Sequence, residues 1–253
     1  MFTALHPYIG SICHVYLDDI IIWSDSLEEH HQNVETILSA LRAHHLYCSP
    51  KKTDLFCLEL HFLGHRISHA GVEADDSKVE KILAWLIPSS ASDVCSFLGL
   101  VKYISNFLPA LSNRTRILNS LSTKESERDF LWSSEHQTAF NVIKQLIVSR
   151  ECLTVIDHQN MADNKIFVCT DASDWCSSAV LSFGPTLETA HLVAFDSMQF
   201  KGPELNYPVH EKELLAIVHA LKKWCVNLIG VPFTIYTDHC TLKNFTFQKN
   251  LSK

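Results

Sequence analysis

The chain has 253 residues, enough for one large or two to three small domains, and 47% hydrophobic against 19% charged residues excludes a disordered chain. A formal net charge of −7 argues against a surface built mainly for phosphate, and the basic residues are lopsided, with fifteen Lys, six Arg and no Arg after Arg150. Nine cysteines, an odd number without a Cys-x-x-Cys pair, exclude a disulfide framework and a zinc knuckle and predict a reducing compartment. No apolar run approaches the roughly 18 residues of a membrane span, and no leader pattern opens the chain, so the expectation is an intracellular protein of cytoplasm or nucleus with no membrane partner.

Residues 1–14 are too short to be a domain. From His14 to Trp23, two apolar runs flank Asp18 and Asp19. Val15 and Tyr16 on one side, and Ile20 to Trp23 on the other, are β-formers, which predicts strand, tight turn, strand with both carboxylates at the tip. Two strands alone are marginal, so the chain reads as starting within a domain. Side chains alternate faces along a strand, so neighbouring carboxylates share a site only at a turn. Held together there they repel unless a cation lies between them. Mg²⁺ suits such a place, since it takes a few carboxylate oxygens plus substrate phosphates. The plain alternative is an Asp-rich turn without chemistry.

Ser26-Leu27-Glu28-Glu29 is a capping box, and Val34, Ile37, Leu38 and Leu41 follow at helical spacing. Leu55 to Leu58 and His61 to Ile67 read as two more strands. Asp75, Asp76 and Ser77-x-x-Glu80 open a helix with Val79, Ile82, Leu83 and Leu86 on one face, ended by Pro88. Ser92 is the expected cap of a helix carrying Val94, Phe97, Leu98, Val101, Ile104 and Leu108, stopped by Pro109. After a polar stretch from Thr123 to Asp129, Ser133-Ser134 precede a third helix with Phe140, Ile143, Leu146 and Ile147. Strands are expected from Lys165 to Asp171, Ser178 to Phe183, His191 to Phe195 and Phe233 to Asp238. A long helix from about Pro208 to Trp224 buries Leu214, Leu215, Val218 and Leu221. Three strands, a helix and a strand make an α+β arrangement.

Within this last region Asp171 ends a strand, Glu213 sits in the first turns of a helix, and Asp238 ends another strand. Each is an acid at the rim of a core. Read separately they are caps or surface groups, Glu213 most readily so. If they converge, they can hold two Mg²⁺ ions about 3.5–4 Å apart, the geometry for in-line phosphodiester cleavage. Asp171, on the central strand, is then the bridging ligand.

The order of motifs adds a family. Val15-Tyr16-Leu17-Asp18-Asp19-Ile20-Ile21, Phe62-Leu63-Gly64-His65 and Ser96-Phe97-Leu98-Gly99-Leu100 resemble the palm and thumb of a gypsy-type long-terminal-repeat retrotransposon reverse transcriptase. Thr170-Asp171-Ala172-Ser173, Lys212-Glu213-Leu214-Leu215-Ala216 and Tyr236-Thr237-Asp238-His239 resemble that family's ribonuclease H. The resemblance implies the C-terminal part of a palm over 1–74, a helical thumb or connection over 75–150, and a ribonuclease H-like domain with a mixed sheet over 151–253. It implies RNA-directed DNA synthesis and cleavage of RNA in RNA–DNA hybrids, with Mg²⁺ as cofactor and Mn²⁺ as substitute. The partners implied are hybrid, template and primer. By the same resemblance Asp18 and Asp19 are polymerase metal ligands and Tyr16 lies near the primer end. Phe62, Leu63, Gly64 and His65 belong to a primer-gripping hairpin, and Asp171, Glu213 and Asp238 are nuclease metal ligands.

The sequence also departs from the family. The palm's further metal-binding Asp and the fingers do not fit in the residues before the hairpin. The nuclease's fourth acid has no candidate, because Thr241 to Lys253 contain no Asp or Glu. Cys95, Cys225 and Cys240 stand where the family often has Arg, His219 is similar, and Ser178 stands where it usually has Gly. Single C→T or G→A changes turn Arg codons into Cys or His codons, which suggests a decayed element copy. The alternatives to an active enzyme are therefore an inert remnant and a co-opted hybrid-binding module.

Overall fold

The computed structural model describes residues 1–123, 126–158, 161, 163–239 and 242. They fall into two units, Met1–His69 and Ala70–Lys253.

The first unit contains α1 (Phe2–Leu5), β1 (Cys13–Tyr16), β2 (Asp19–Ile22), α2 (Leu27–Ala43), β3 (Glu59–Phe62) and β4 (His65–Ser68). β1 and β2 pair antiparallel, with Tyr16 opposite Asp19. α2 begins where the Ser26 hydroxyl accepts the Glu29 N–H at 3.2 Å, while the Glu29 carboxylate accepts the Asp25 N–H at 3.1 Å. Ile37 and Leu41 of α2 meet Leu5 and Cys13 in a small core, but Leu38, expected on the same stripe, is 40% exposed. The strand expected over Leu55 to Leu58 does not form: Phe56 has φ +58, which breaks an extended run, and Leu58 is exposed. The strand expected over His61 to Ile67 is instead the antiparallel hairpin of β3 and β4. It turns at Leu63 and Gly64, both with positive φ, a conformation that Gly64 adopts without strain.

The second unit starts with β5 (Gly71–Ala74), α3 (Asp76–Leu83), α4 (Ala91–Tyr103), α5 (Leu111–Asn119) and α6 (Ser134–Val148). Val72 and Leu153 exchange backbone hydrogen bonds of 2.7 and 2.9 Å, tying β5 to the segment after α6. α3 is capped by Asp75, which accepts the Ser77 N–H at 2.8 Å. It stops at Leu83 rather than running to Pro88, and Leu86 is exposed. The stop has a cause in α6: the Lys144 ammonium donates to the Leu83 and Trp85 carbonyls at 2.8 and 2.6 Å and takes over the end of the helix. Ser90, not Ser92, caps α4 by accepting the Asp93 N–H at 3.1 Å. Ile104 and Leu108 lie beyond the end of α4 yet remain buried, because a 3₁₀ turn over Ser105–Phe107 keeps them facing inward. α5 was not expected; the chain restarts it through Ala110 at φ +48. α6 follows the sequence reading, with Ser133 as its cap and Phe140, Ile143 and Ile147 buried. Phe97 and Phe140 meet at 4.7 Å in the middle of this helical core. A side chain of that size contributes about 1.5–3 kcal/mol when fully buried. Phe195 joins the same core from the sheet.

The sheet consists of β6 (Lys165–Ala172), β7 (Cys176–Gly184), β8 (His191–Gln199) and, after α7 (Val209–Lys223) and α8 (Cys225–Leu228), β9 (Phe233–Thr237). Its order is β8-β7-β6-β9. β6–β7 and β7–β8 are antiparallel and β6–β9 is parallel, so the sheet is mixed as expected. Ile166, Phe167, Val168 and Thr170 are buried, which suits an interior strand covered on both faces. α7 packs on β6 and β7, but not through the leucines expected to be buried. Its buried residues are Lys212, Glu213, Ala216 and Ala220, while Leu214, Leu215, Val218 and Leu221 are half-buried. The two small alanines let the helix backbone come close to the sheet, and the larger side chains flank that seam. No helix among the described residues is long and apolar enough to cross a membrane.

Candidate active site

Parallel pairing of β6 with β9 carries both strands out at one edge. Thr170 lies opposite Thr237, so the next residues, Asp171 and Asp238, emerge side by side. α7 crosses above and brings in Glu213 from its sheet-facing side. Ligand oxygens of Asp171, Glu213 and Asp238 all lie within 4.8 Å of one another. Glu213 is buried at 3% exposure, whereas the two aspartates are exposed. Its Oε1 accepts the Ala172 N–H at 3.2 Å. Its Oε2 is buried without a hydrogen-bond partner. Burial pushes the Glu213 carboxyl above its usual pKa, and Asp238 and Asp171 push the same way. The Ala172 N–H and the Thr237 hydroxyl hold it back. An unpartnered buried oxygen beside two further carboxylates is the donor set of a hard divalent cation, so these residues fit a metal ion.

The other sequence-derived residues are placed elsewhere. The turn between β1 and β2 is Leu17-Asp18, and Asp19 opens β2 opposite Tyr16, so only Asp18 sits at the tip. Asp18, Asp19 and Tyr16 are exposed, and Leu17 holds φ +52, a left-handed conformation that is strained for a leucine. Among the described residues no third His, Cys or acid joins the Asp18-Asp19 pair in a metal-binding cluster. Phe62 and His65 close the β3–β4 hairpin as a register pair, with Leu63 and Gly64 as its turn. Cys95 and Cys225 are exposed, and His219 meets the Ser177 hydroxyl at 3.2 Å. Cys240 lies outside the described residues, as does all of Thr241 to Lys253 except Leu242.

Sequence reading missed how the turn after Asp171 is held. Lys212, buried at 7% exposure beside Glu213, donates to the Asp174 carbonyl at 3.0 Å. Only the tertiary structure discloses this, since a Lys next to a Glu in a helix ordinarily reads as a solvated pair.

A mixed sheet in the order β8-β7-β6-β9, with α7 across it and three acids at the β6/β9 edge, defines a ribonuclease H-like domain. Residues 161–253 match the family described as "RNase H-like domain found in reverse transcriptase", and residues 1–67 match "Reverse transcriptase (RNA-dependent DNA polymerase)". The chain is 34% identical over 243 residues to the retrovirus-related Pol polyprotein from transposon 297 of Drosophila melanogaster, covering 96% of this chain and 22% of that protein. It is 34% identical over 229 residues to the transposon Tf2-3 polyprotein of Schizosaccharomyces pombe, covering 90% of this chain and 17% of that protein. A foamy viral protease–reverse transcriptase (dRH) in complex with double-stranded DNA superposes with a TM-score of 0.83 at 25% identity, over 97% of this chain and 42% of that one. The chain belongs to the reverse transcriptase/ribonuclease H family of gypsy-type long-terminal-repeat retrotransposon Pol polyproteins. It spans about a fifth of the length of these curated relatives, 22% and 17% respectively.

Proposed function

We propose that this chain cleaves the RNA strand of RNA–DNA hybrids, with Asp171, Glu213 and Asp238 as ligands of Mg²⁺, for which Mn²⁺ substitutes. The observation that carries the reading is the convergence of these three carboxylates around the buried, unpartnered Glu213 Oε2. Held by these residues, divalent cations would supply Lewis-acid activation of a water nucleophile and neutralise charge on the departing oxygen. The chain's own residues set the site up. Asp171 and Asp238 are presented by adjacent parallel strands, and Glu213 is fixed by its hydrogen bond to Ala172. The domain reading that goes with this is a palm portion over 1–74, a helical thumb or connection over 75–150, and a nuclease domain over 151–253. Template, primer and hybrid are the proposed partners.

RNA-directed DNA synthesis is the family's other activity. On that reading Asp18 and Asp19 bind metal, Tyr16 adjoins the primer, and the Phe62–His65 hairpin grips it. The exposed Asp18 and Asp19, with no third acid beside them among the described residues, give this half less support than the three-acid cluster gives the nuclease. A hybrid-binding module without cleavage is the second reading. The deciding experiment is cleavage of a labelled hybrid by the purified chain in Mg²⁺ and in Mn²⁺, beside Asp171→Asn. Cleavage by the parent alone is the expected result. No cleavage by a folded parent removes the nuclease reading.

A further inference from the structure

The turn between β6 and β7 leads directly away from Asp171, and it is fastened on two sides. From α7, Lys212 holds the Asp174 carbonyl at 3.0 Å. From α5, the Asn113 carboxamide oxygen accepts the Ser173 hydroxyl at 3.3 Å, and the Arg116 guanidinium lies 4.7 Å from the centre of the Trp175 ring. Trp175 is nonetheless 48% exposed, and Asn113 and Arg114 are exposed beside it. Two of the chain's six arginines thus stand within one short stretch of α5, in a molecule of net charge −7. No carboxylate forms an ion pair with Arg116 among the described residues. The one acid of the turn, Asp174, has its carboxylate 4.0 Å from the Lys212 ammonium.

A large aromatic ring open to water, pinned by a cation, is a stacking platform for a base. A guanidinium lying over a ring keeps its edge N–H donors for phosphate oxygens. We infer that Arg116 and Trp175 form a strand-binding platform next to the acid cluster. Trp175 takes an unpaired base where one strand runs past the end of the hybrid duplex, and Arg116 takes a backbone phosphate of that strand. The inference rests on the hybrid-cleaving reading above, and it gives α5 the task of aligning substrate with residues of the sheet.

The test is fluorescence anisotropy of a labelled RNA–DNA hybrid carrying a single-stranded overhang against the full chain, in an Asp171→Asn background so that nothing is cut, across a KCl series. Trp175→Ala should weaken binding by about 5- to 150-fold, the range for losing one base–aromatic stack. Trp175→Phe, which keeps a ring, should recover most of that loss. Arg116→Gln should lower the slope of log affinity against log salt by about one phosphate contact, and Arg116→Lys should keep the slope. If Trp175→Ala fails to fold, Trp175→Phe and the Arg116 pair still decide the matter. Unchanged affinity and slope in these variants, with a parent that binds and an unmodified chain that cleaves, overturn the platform and leave the nuclease reading standing. A parent that binds no hybrid overturns both.

Discussion

Glu213 occupies a costly place for a carboxylate, buried on a helix face and facing two further acids, with one oxygen bonded to Ala172 and the other to nothing. Without a cation that charge destabilises the fold; with one it becomes a ligand. Glu213→Gln keeps an oxygen for the Ala172 N–H and removes the repulsion. The expected outcome is a variant that melts no lower than the parent in chelator. The parent should gain about 2.7 kcal/mol at a metal concentration a hundred times its dissociation constant, a rise of roughly 5–10 °C for a domain of this size. The variant should gain almost nothing. Equal Mg²⁺ or Mn²⁺ shifts for the two proteins in thermal melts remove Glu213 from the ligand set.

At the scale of elements, the start of α4 shows how a local sequence signal becomes a titratable support. The Ser89 N–H and hydroxyl, donating to Asp93 at 3.0 and 2.9 Å, hold its carboxyl below the usual carboxylate range, with the Ser90 hydroxyl adding to the effect. Because the folded value is lowered, the contribution is complete above the unfolded carboxyl pKa and disappears as pH falls through the folded one. Asp93→Asn should therefore lower the melting temperature at pH 7, and the gap should close toward pH 3. A gap of the same size at both pH values contradicts this. The sequence misplaced the cap of this helix by two residues, since Ser90 and Ser92 offer the same hydroxyl and only the backbone conformation at Ser90 selects it. Strand positions over Lys165 to Phe195, α6 and the three carboxylates that the fold brings together were legible, because alternation, capping and carboxylates at strand ends are local signals. The buried face of α7 was not, because a seam of Ala216 and Ala220 is chosen by how near the helix can come to the sheet, which hydrophobicity alone does not encode. Nor was α5, whose start after Pro109 and Ala110 carries no side-chain cap. Trp175 reads as an unremarkable turn residue until Arg116, distant in sequence, is seen lying over it.

For the whole molecule, the two units differ in how much apolar surface they cover. The core of Met1–His69 rests on Leu5, Cys13, Ile37 and Leu41, while Tyr16, Leu17, Tyr47, Phe56 and Leu58 stay exposed. The second unit carries two cores, one among the helices and one against the sheet. Expressed separately, residues 1–69 should aggregate, as should the slightly longer 1–74, whereas 70–253 should stay in solution and melt in one cooperative step. Size-exclusion chromatography and calorimetry of the pieces check this. A monomeric 1–69 with its own sharp transition contradicts it.

The parallel pairing of β6 with β9 also fixes an order of events during synthesis. Asp171 leaves the ribosome long before Asp238, and between them the chain must lay down β7, β8 and α7. Domains form as they emerge, at about 5–20 residues per second, yet a pairing this distant in sequence waits for its last strand. A nascent chain therefore carries two of the three acids for about one to five seconds with nothing to complete them. The cutting centre proposed for this protein comes into being only when β9 docks, so a nascent chain whose β9 has not yet emerged has no means of cleaving a hybrid through that centre.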